Sequence, residues 1–313
     1  MRLRAFRTFE TPFTEYRKIR RLVLCDAASI FNLPSTIMTR NEVECAGISG
    51  GGNILSRLNG TPSEAAGSGQ LARFCVEDWM ACAPGLETRQ DWIAWSRSAG
   101  IPQTDSAQAA ASLPQILRRR VSNVGQMTFR ASYALSEPRT ARFVFCSRYG
   151  ESDRTLRILH SLAAREPISP ADFSLSVHNA LAGLLSIAWG NTAGHTAISA
   201  GADSFGYGLL EAVACLKEGS SEPVMLVYFD DALPQPYDEV TDSTESCVAL
   251  AMLLKPPGDD GHEFTLSHEP RSHAAKAQSA SAQSLDFIRF MLSNERETRS
   301  TGERTQWRWQ RCA

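Results

Sequence analysis

Short, uninterrupted apolar runs constrain this chain more than any other feature. Residues 141–147 read ARFVFCS, 224–230 VMLVYFD and 247–255 CVALAMLLK, and HTAI (195–198) reads as a short buried strand beside them. They are far too short to span a bilayer, and they lack the polar alternation of a strand with one wet face. Runs of this kind suit strands covered by helices on both sides. Helical stretches separate them, over about 123–136, over 152–164, in an apolar segment from Phe173 and in the segment after Gly201. Strands and helices alternate up to residue 230, and strands then follow in succession, with HEFTLSHE at 262–269. The expectation is an α/β domain with a mixed central sheet covered by helices. FCVEDW from Phe74 reads as a further strand, and Asp91 stands where it can cap a helix through DWIAWSRS. LDFIRFMLS (285–293) reads as an amphipathic helix and TQWRWQRC (305–312) as an edge strand.

Composition removes several function classes. The net charge of −2 over 313 residues gives no electrostatic basis for nucleic acid as the main partner. No apolar run reaches transmembrane length, and the basic start (Arg2, Arg4, Arg7) lacks the apolar core of a secretory signal. The eight cysteines form no C-x-x-C pair, and several lie inside apolar runs. That pattern points to buried thiols in a reducing, cytoplasmic setting, with neither a metal site nor a cofactor. Residues 1–72 differ from the rest. They carry charges without clear periodicity and two loose segments, GISGGGN and NGTPSEAAGSGQ. The glycine run has no Lys-Ser/Thr after it, so it reads as a loop rather than a phosphate cradle. The expected organisation is a flexible extension over 1–72 and one domain over 73–313. The run Arg118-Arg119-Arg120 is either an anion patch or a solvated face.

The stretch from Phe173 to Leu216 holds the candidate chemistry. It reads as a helix, a glycine-rich turn, a short buried strand at 195–198, and a helix beginning at once after Ser199-Ala200-Gly201. A helix start offers free N–H groups and a positive partial charge, the setting in which many enzymes place a nucleophile. Ser199 departs from the G-x-S-x-G elbow because Ala197 holds the first glycine position. The hydroxyl is therefore either a nucleophile or a helix cap. A hydrolase would also draw on His262, His268 or His273 and on Asp230-Asp231, which equally suit a turn. His178 and His195 flank the apolar helix and are either packing residues or catalysts. Gly183, Gly190, Gly194, Gly201, Gly206 and Gly208 suit close helix packing or a narrow acyl channel.

SVHNALAGLLSIAWGN (176–191) and GHTAISAGADSFGYGLLEA (194–212) together resemble the N-terminal half of β-ketoacyl synthases of the thiolase fold. VEDWMACAPGL, ILRRRVS, FVFCSRYGE, ISPADFSLSVHNA and LVYFDDALPQPY are similar to the short synthase-like proteins of aryl-polyene and xanthomonadin-type clusters. Those proteins comprise only that half. The resemblance aligns Thr196 to Gly201 with the family's T-A-C-S-S-G, so Ile198 holds the nucleophile position. No segment here matches the family's catalytic-histidine motifs. The resemblance therefore implies a non-catalytic, chain-length-factor-like subunit of polyene or fatty-acyl assembly. A full-length β-ketoacyl synthase, an acyl carrier protein, or both are the implied partners, and strand 195–198 is a candidate homodimer seam. His178, Asn179, His195, Thr196, Ile198, Ser199 and Phe205 are the candidate channel-lining or partner-facing residues. Two alternatives stay open: a serine acyl-hydrolase or acyltransferase using Ser199, and a scaffold that binds no acyl chain.

Overall fold

The apolar runs assemble into one sheet. The computed structural model describes residues 72–98, 100, 120–135, 140–218, 222–237, 247–258, 262–271 and 282–312. The glycine-rich loops before residue 72, Arg118, Arg119 and His273 lie outside the described residues. In chain order the elements are β1 (Ala72–Cys82), α1 (Arg89–Ser96), α2 (Asn123–Tyr133), β2 (Arg142–Cys146), α3 (Ser152–Ala164), α4 (Pro170–Leu175), α5 (Ala180–Trp189), β3 (His195–Ile198), α6 (Ser204–Glu218), β4 (Val224–Asp230), β5 (Val248–Lys255), β6 (His262–Pro270), α7 (Gln283–Leu292), β7 (Glu297–Thr301) and β8 (Thr305–Arg311). The eight strands are ordered β3-β2-β4-β5-β1-β6-β8-β7. β3, β2 and β4 run parallel, and every other neighbouring pair is antiparallel.

Double-sided burial explains the unbroken apolar runs. Phe143 and Phe145 of β2, with Met225, Val227 and Phe229 of β4, join a core under α2 and α5. Their alternates, Val144, Cys146, Val224, Leu226 and Tyr228, join the opposite core under α6, α7 and α1. Period-two geometry sends successive side chains to opposite faces, so a strand wet on neither face reads as continuously apolar. The second core is aromatic. Phe205, Phe264, Phe287, Phe290 and Trp309 pack with ring centroids 5.5 to 6.5 Å apart.

Several local expectations are corrected. Asp91 does not begin α1. Thr88 is the N-cap and Asp91 the third helical residue, and each side chain bonds the other's backbone in a capping box. The helix expected from Phe173 is two helices, α4 and α5, separated by residues 176–179. β8 is not an edge strand, because β7 pairs along its outer side. β7 (ETRST) was not expected, since it has no apolar alternation and is specified by its partner rather than by its own pattern. β3 is half-exposed rather than buried, being the terminal strand of the sheet.

α6 lies unusually close to its neighbours. A Cβ placed on Gly206 would stand 2.2 Å from the Trp307 ring, and one on Gly208 would stand 2.4 Å from the Cys146 sulfur. Only a residue without a side chain fits at either point. Gly206→Ala is expected to lower stability by about 1–3 kcal/mol through overpacking against Trp307. A urea titration of the variant and wild type checks this, and an unchanged midpoint contradicts it.

Candidate functional site

The end of β3 and the start of α6 build the site. The helix does not begin at once. It starts at Ser204, and residues 199–203 form a turn in between. Gly201 makes the turn at φ +60°, a conformation that costs glycine nothing. The Ser204 hydroxyl donates to the Gly201 carbonyl at 2.7 Å and accepts from the Ala200 N–H at 2.9 Å, which closes the turn on itself. Ile198 is half-buried and packs on the aromatic core. Its carbonyl accepts from the Ser147 N–H at 3.2 Å and lies 2.9 Å from His178 Nε2. His178 thus comes to the junction, but it contacts backbone there and not the Ser199 hydroxyl. Ser199 is exposed and donates to the Arg148 carbonyl at 3.1 Å.

Cys146 is directly in register with Ile198 on the adjoining strand, yet it is wholly buried beneath α6. Burial, reinforced by the neighbouring Asp230, raises its thiol well above the ordinary value. The six described cysteines are free thiols, five of them buried. Among the described residues no group of three or more His, Cys, Asp or Glu is placed to hold a metal ion.

Asp230, at the end of β4, holds the loop that faces Ser199. Its carboxyl accepts from the Ser147 hydroxyl at 3.0 Å, the Arg148 N–H at 2.8 Å and the Tyr149 N–H at 2.9 Å. Those contacts fix residues 147–149, whose Arg148 carbonyl takes the Ser199 hydroxyl. Gly150 follows against the His178 ring, where a Cβ would be 3.0 Å from Nδ1. Burial raises the Asp230 carboxyl to about 6, although its hydrogen bonds favour the charged form. Asp203 is the second buried acid. Its carboxylate accepts from Trp307 Nε1 at 2.8 Å, Gln283 Nε2 at 3.3 Å and the Arg304 N–H at 2.9 Å. Sequence reasoning missed this pairing, because the contacts cross 80 to 104 residues. The available signal was one acid in an otherwise small and apolar stretch, GADSFGYG.

The remaining candidates separate into two groups. His195, Thr196 and Ile198 lie on β3, which is the terminal strand among the described residues, and Asn179 is exposed at the start of α5. Phe205 is elsewhere: it is 1% exposed and packs on Tyr228, Phe287 and Trp309 inside the core. Gly194 and Ile198 carbonyls accept from β2, so by parallel-ladder alternation His195 and Ala197 turn their backbone N–H and C=O groups outward. Apolar side chains are also exposed on α4, on α5 and between them: Phe173 is 63% exposed, Val177 48% and Ile187 80%. Arg154 anchors α4 by pairing Glu151 and Asp172. A groove of about 440 Å³ runs from the end of β3 along the outer face of α6, lined by Ile198, Ser199, Tyr207, Leu210, Glu211 and Arg304.

A mixed sheet covered on both faces, with a parallel β3-β2-β4 unit feeding a long helix, is a thiolase-like fold. The family model of the β-ketoacyl synthase N-terminal domain matches residues 92–310. The chain belongs to that family. It is similar, at 31% identity and TM-score 0.66, to a chain in the structure of the ketosynthase ApeO with its chain length factor ApeC from Xenorhabdus doucetiae. That match covers 76% of this chain and 99% of the other. The ishigamide ketosynthase/chain length factor matches at 13% identity and TM-score 0.51, over 64% of this chain and 67% of that one. The AntDE:AntF assembly, a type II polyketide acyl carrier protein with its ketosynthase, matches at 13% and 0.54, over 77% and 99%. These two likenesses are of fold alone. No curated protein matches the chain significantly.

The raised carboxyl of Asp230 has a signed consequence. Between about pH 4 and 6 the folded chain holds this proton and the unfolded chain releases it. The contribution is therefore fully present below about pH 4 and lost as pH rises through about 6. Its size is about 3 kcal/mol. Asp230→Asn is expected to remove this slope, read as the difference between wild-type and variant unfolding midpoints across that window. A difference that does not change with pH contradicts it.

Proposed function

We propose that this chain is a non-condensing, chain-length-factor-like subunit that pairs with a full-length ketosynthase in polyketide or aryl-polyene assembly. This reading is carried by Ile198, which the resemblance aligns with the family's nucleophile, together with the in-register Cys146, which is buried with its thiol raised. An aliphatic side chain cannot attack a thioester or carry an acyl group. Similarity to a chain in a ketosynthase–chain length factor complex supports the partner class, and the groove beside Ile198 supports an acyl-shaping role. An acyl carrier protein is the transient partner of such a pair. The buried free thiols fit a reducing cytoplasmic setting.

The two sheet edges favour β3 as the seam. β7 carries Glu297 and Arg299, with Glu297 also paired to Arg308, and charged side chains on an edge discourage strand addition. β3 reads HTAI, without a carboxylate, Lys or Arg, and has no further strand beside it among the described residues. The apolar side chains of α4 and α5 add surface of the kind partners cover. The serine acyl-transfer reading has less support, because the Ser199 hydroxyl is given to a carbonyl and His178 is engaged at Ile198. A scaffold without an acyl site remains the alternative outcome of the test.

Two variants test the reading. Ala197→Pro removes an outward-facing N–H while leaving the ladder to β2 intact. It is expected to weaken co-purification with a ketosynthase by about tenfold or more, equivalent to the loss of roughly 1.4 kcal/mol. Ile198→Trp is expected to keep the complex and shorten the acyl product. Unchanged product length with retained binding favours the scaffold, and condensation by the purified chain alone sinks the proposal.

A further inference from the structure

We infer that Asp203 and Gln283 close the α6 end of the junction to thiolate chemistry, so that a cysteine restored at position 198 stays a neutral, weakly reactive thiol. The inference rests on reading 198 as the nucleophile position. A thiol at a strand–helix junction is activated when the helix start presents free N–H groups and uncompensated positive charge. Here the chain's own groups occupy the Ser204 and Gly206 N–H donors and set a carboxyl group at the helix start.

The donors are occupied first. The Gly206 N–H, in the first turn of α6, donates to Gln283 Oε1 at 3.1 Å. The Ser204 N–H donates to the Gly201 carbonyl at 3.2 Å, and the Ala200 N–H to the Ser204 hydroxyl. The charge is compensated next. Asp203 immediately precedes α6, is 1% exposed, and its two oxygens meet three N–H donors, the arrangement of a carboxylate. A negative group at a helix start offsets the dipole, and a thiolate formed nearby would meet a like charge. Asp203 and Ile198 line the same groove together with Glu211 and Arg304, and His178 Nε2 lies 2.9 Å from the Ile198 carbonyl, so the effect of Asp203 is read as the shift between variants in which these other groups stay fixed.

Gly302 makes the latch possible. A Cβ there would fall 1.6 Å from Asp203 Oδ1 and 2.7 Å from Gln283 Nε2. The lock is therefore built from α6, α7 and the β7–β8 turn together, independently of what occupies position 198. Loss of a nucleophile and loss of its activation are two separate features of this chain.

Ile198→Cys in the full chain tests the inference. The rate of iodoacetamide alkylation is followed from roughly pH 5 to 10 on the peptide that carries the new thiol, since eight other cysteines are present. The expected midpoint is at or above the ~8.5 of a free cysteine, with no acyl thioester formed from an acyl N-acetylcysteamine donor. Adding Asp203→Asn is expected to lower the midpoint by about one pH unit. Should that variant not fold, Gln283→Met frees the Gly206 N–H and is expected to shift it in the same direction. A midpoint below about 7 with Asp203 intact, acylation of Ile198→Cys, or a midpoint unmoved by every folded double variant overturns the inference. Ketosynthase binding by the wild type is scored in parallel. Its loss, with an unreactive thiol, counts against the proposed subunit role alone. A reactive thiol with binding preserved counts against the latch alone.

Discussion

The distance at which α6 rides on its neighbours governs the rest of this structure. With no side chain at Gly206 or Gly208, the helix settles against the Trp307 ring on one side and Cys146 on the other. That approach buries the Cys146 thiol beneath the helix. It also brings Asp203 within reach of the Trp307 indole, and through it ties the start of the helix to the last strand pair. A helix standing even a methyl group farther away would lose the Asp203 contacts and open the core under Phe205.

Two buried acids hold the junction. Asp230 fixes the loop after β2, which receives the Ser199 hydroxyl and backs the His178 ring. Asp203 fixes the start of α6. Each spends its oxygens on donors from its own chain. These hydrogen bonds shape the junction, and Ile198 lines the groove there beside Asp203.

The strand runs were legible because burial on two faces leaves a strong local mark, and β4 fell on 224–230 as its apolar run predicts. β3 was legible as a short strand ending at Ile198, and it spans His195–Ile198. Other features depended on partners far away in sequence. β7 carries no pattern of its own, so β8 read as an edge. The delayed start of α6 follows from Gly201 and the Ser204 hydroxyl, which form a turn that periodicity does not register. Phe205 looked like a channel residue from its place beside the motif. The helix rotation that turns it into the aromatic core is set by Gly206 meeting Trp307, a contact across about 100 residues that the sequence does not announce.

The unlike edges of the sheet bear on stoichiometry. A chain with two receptive edges can add copies at both ends and grow without limit, whereas one receptive edge is used up by a single neighbour. Among the described residues β3 has no further strand beside it and offers backbone donors and acceptors, whereas β7 opposes addition with fixed charges. Pairing through β3 would then be self-terminating, giving a closed two-chain unit. Which chain arrives first at that edge, a ketosynthase or a second copy, would decide whether the unit is a mixed pair or a like pair, and the cellular ratio of the two chains would become a control on assembly.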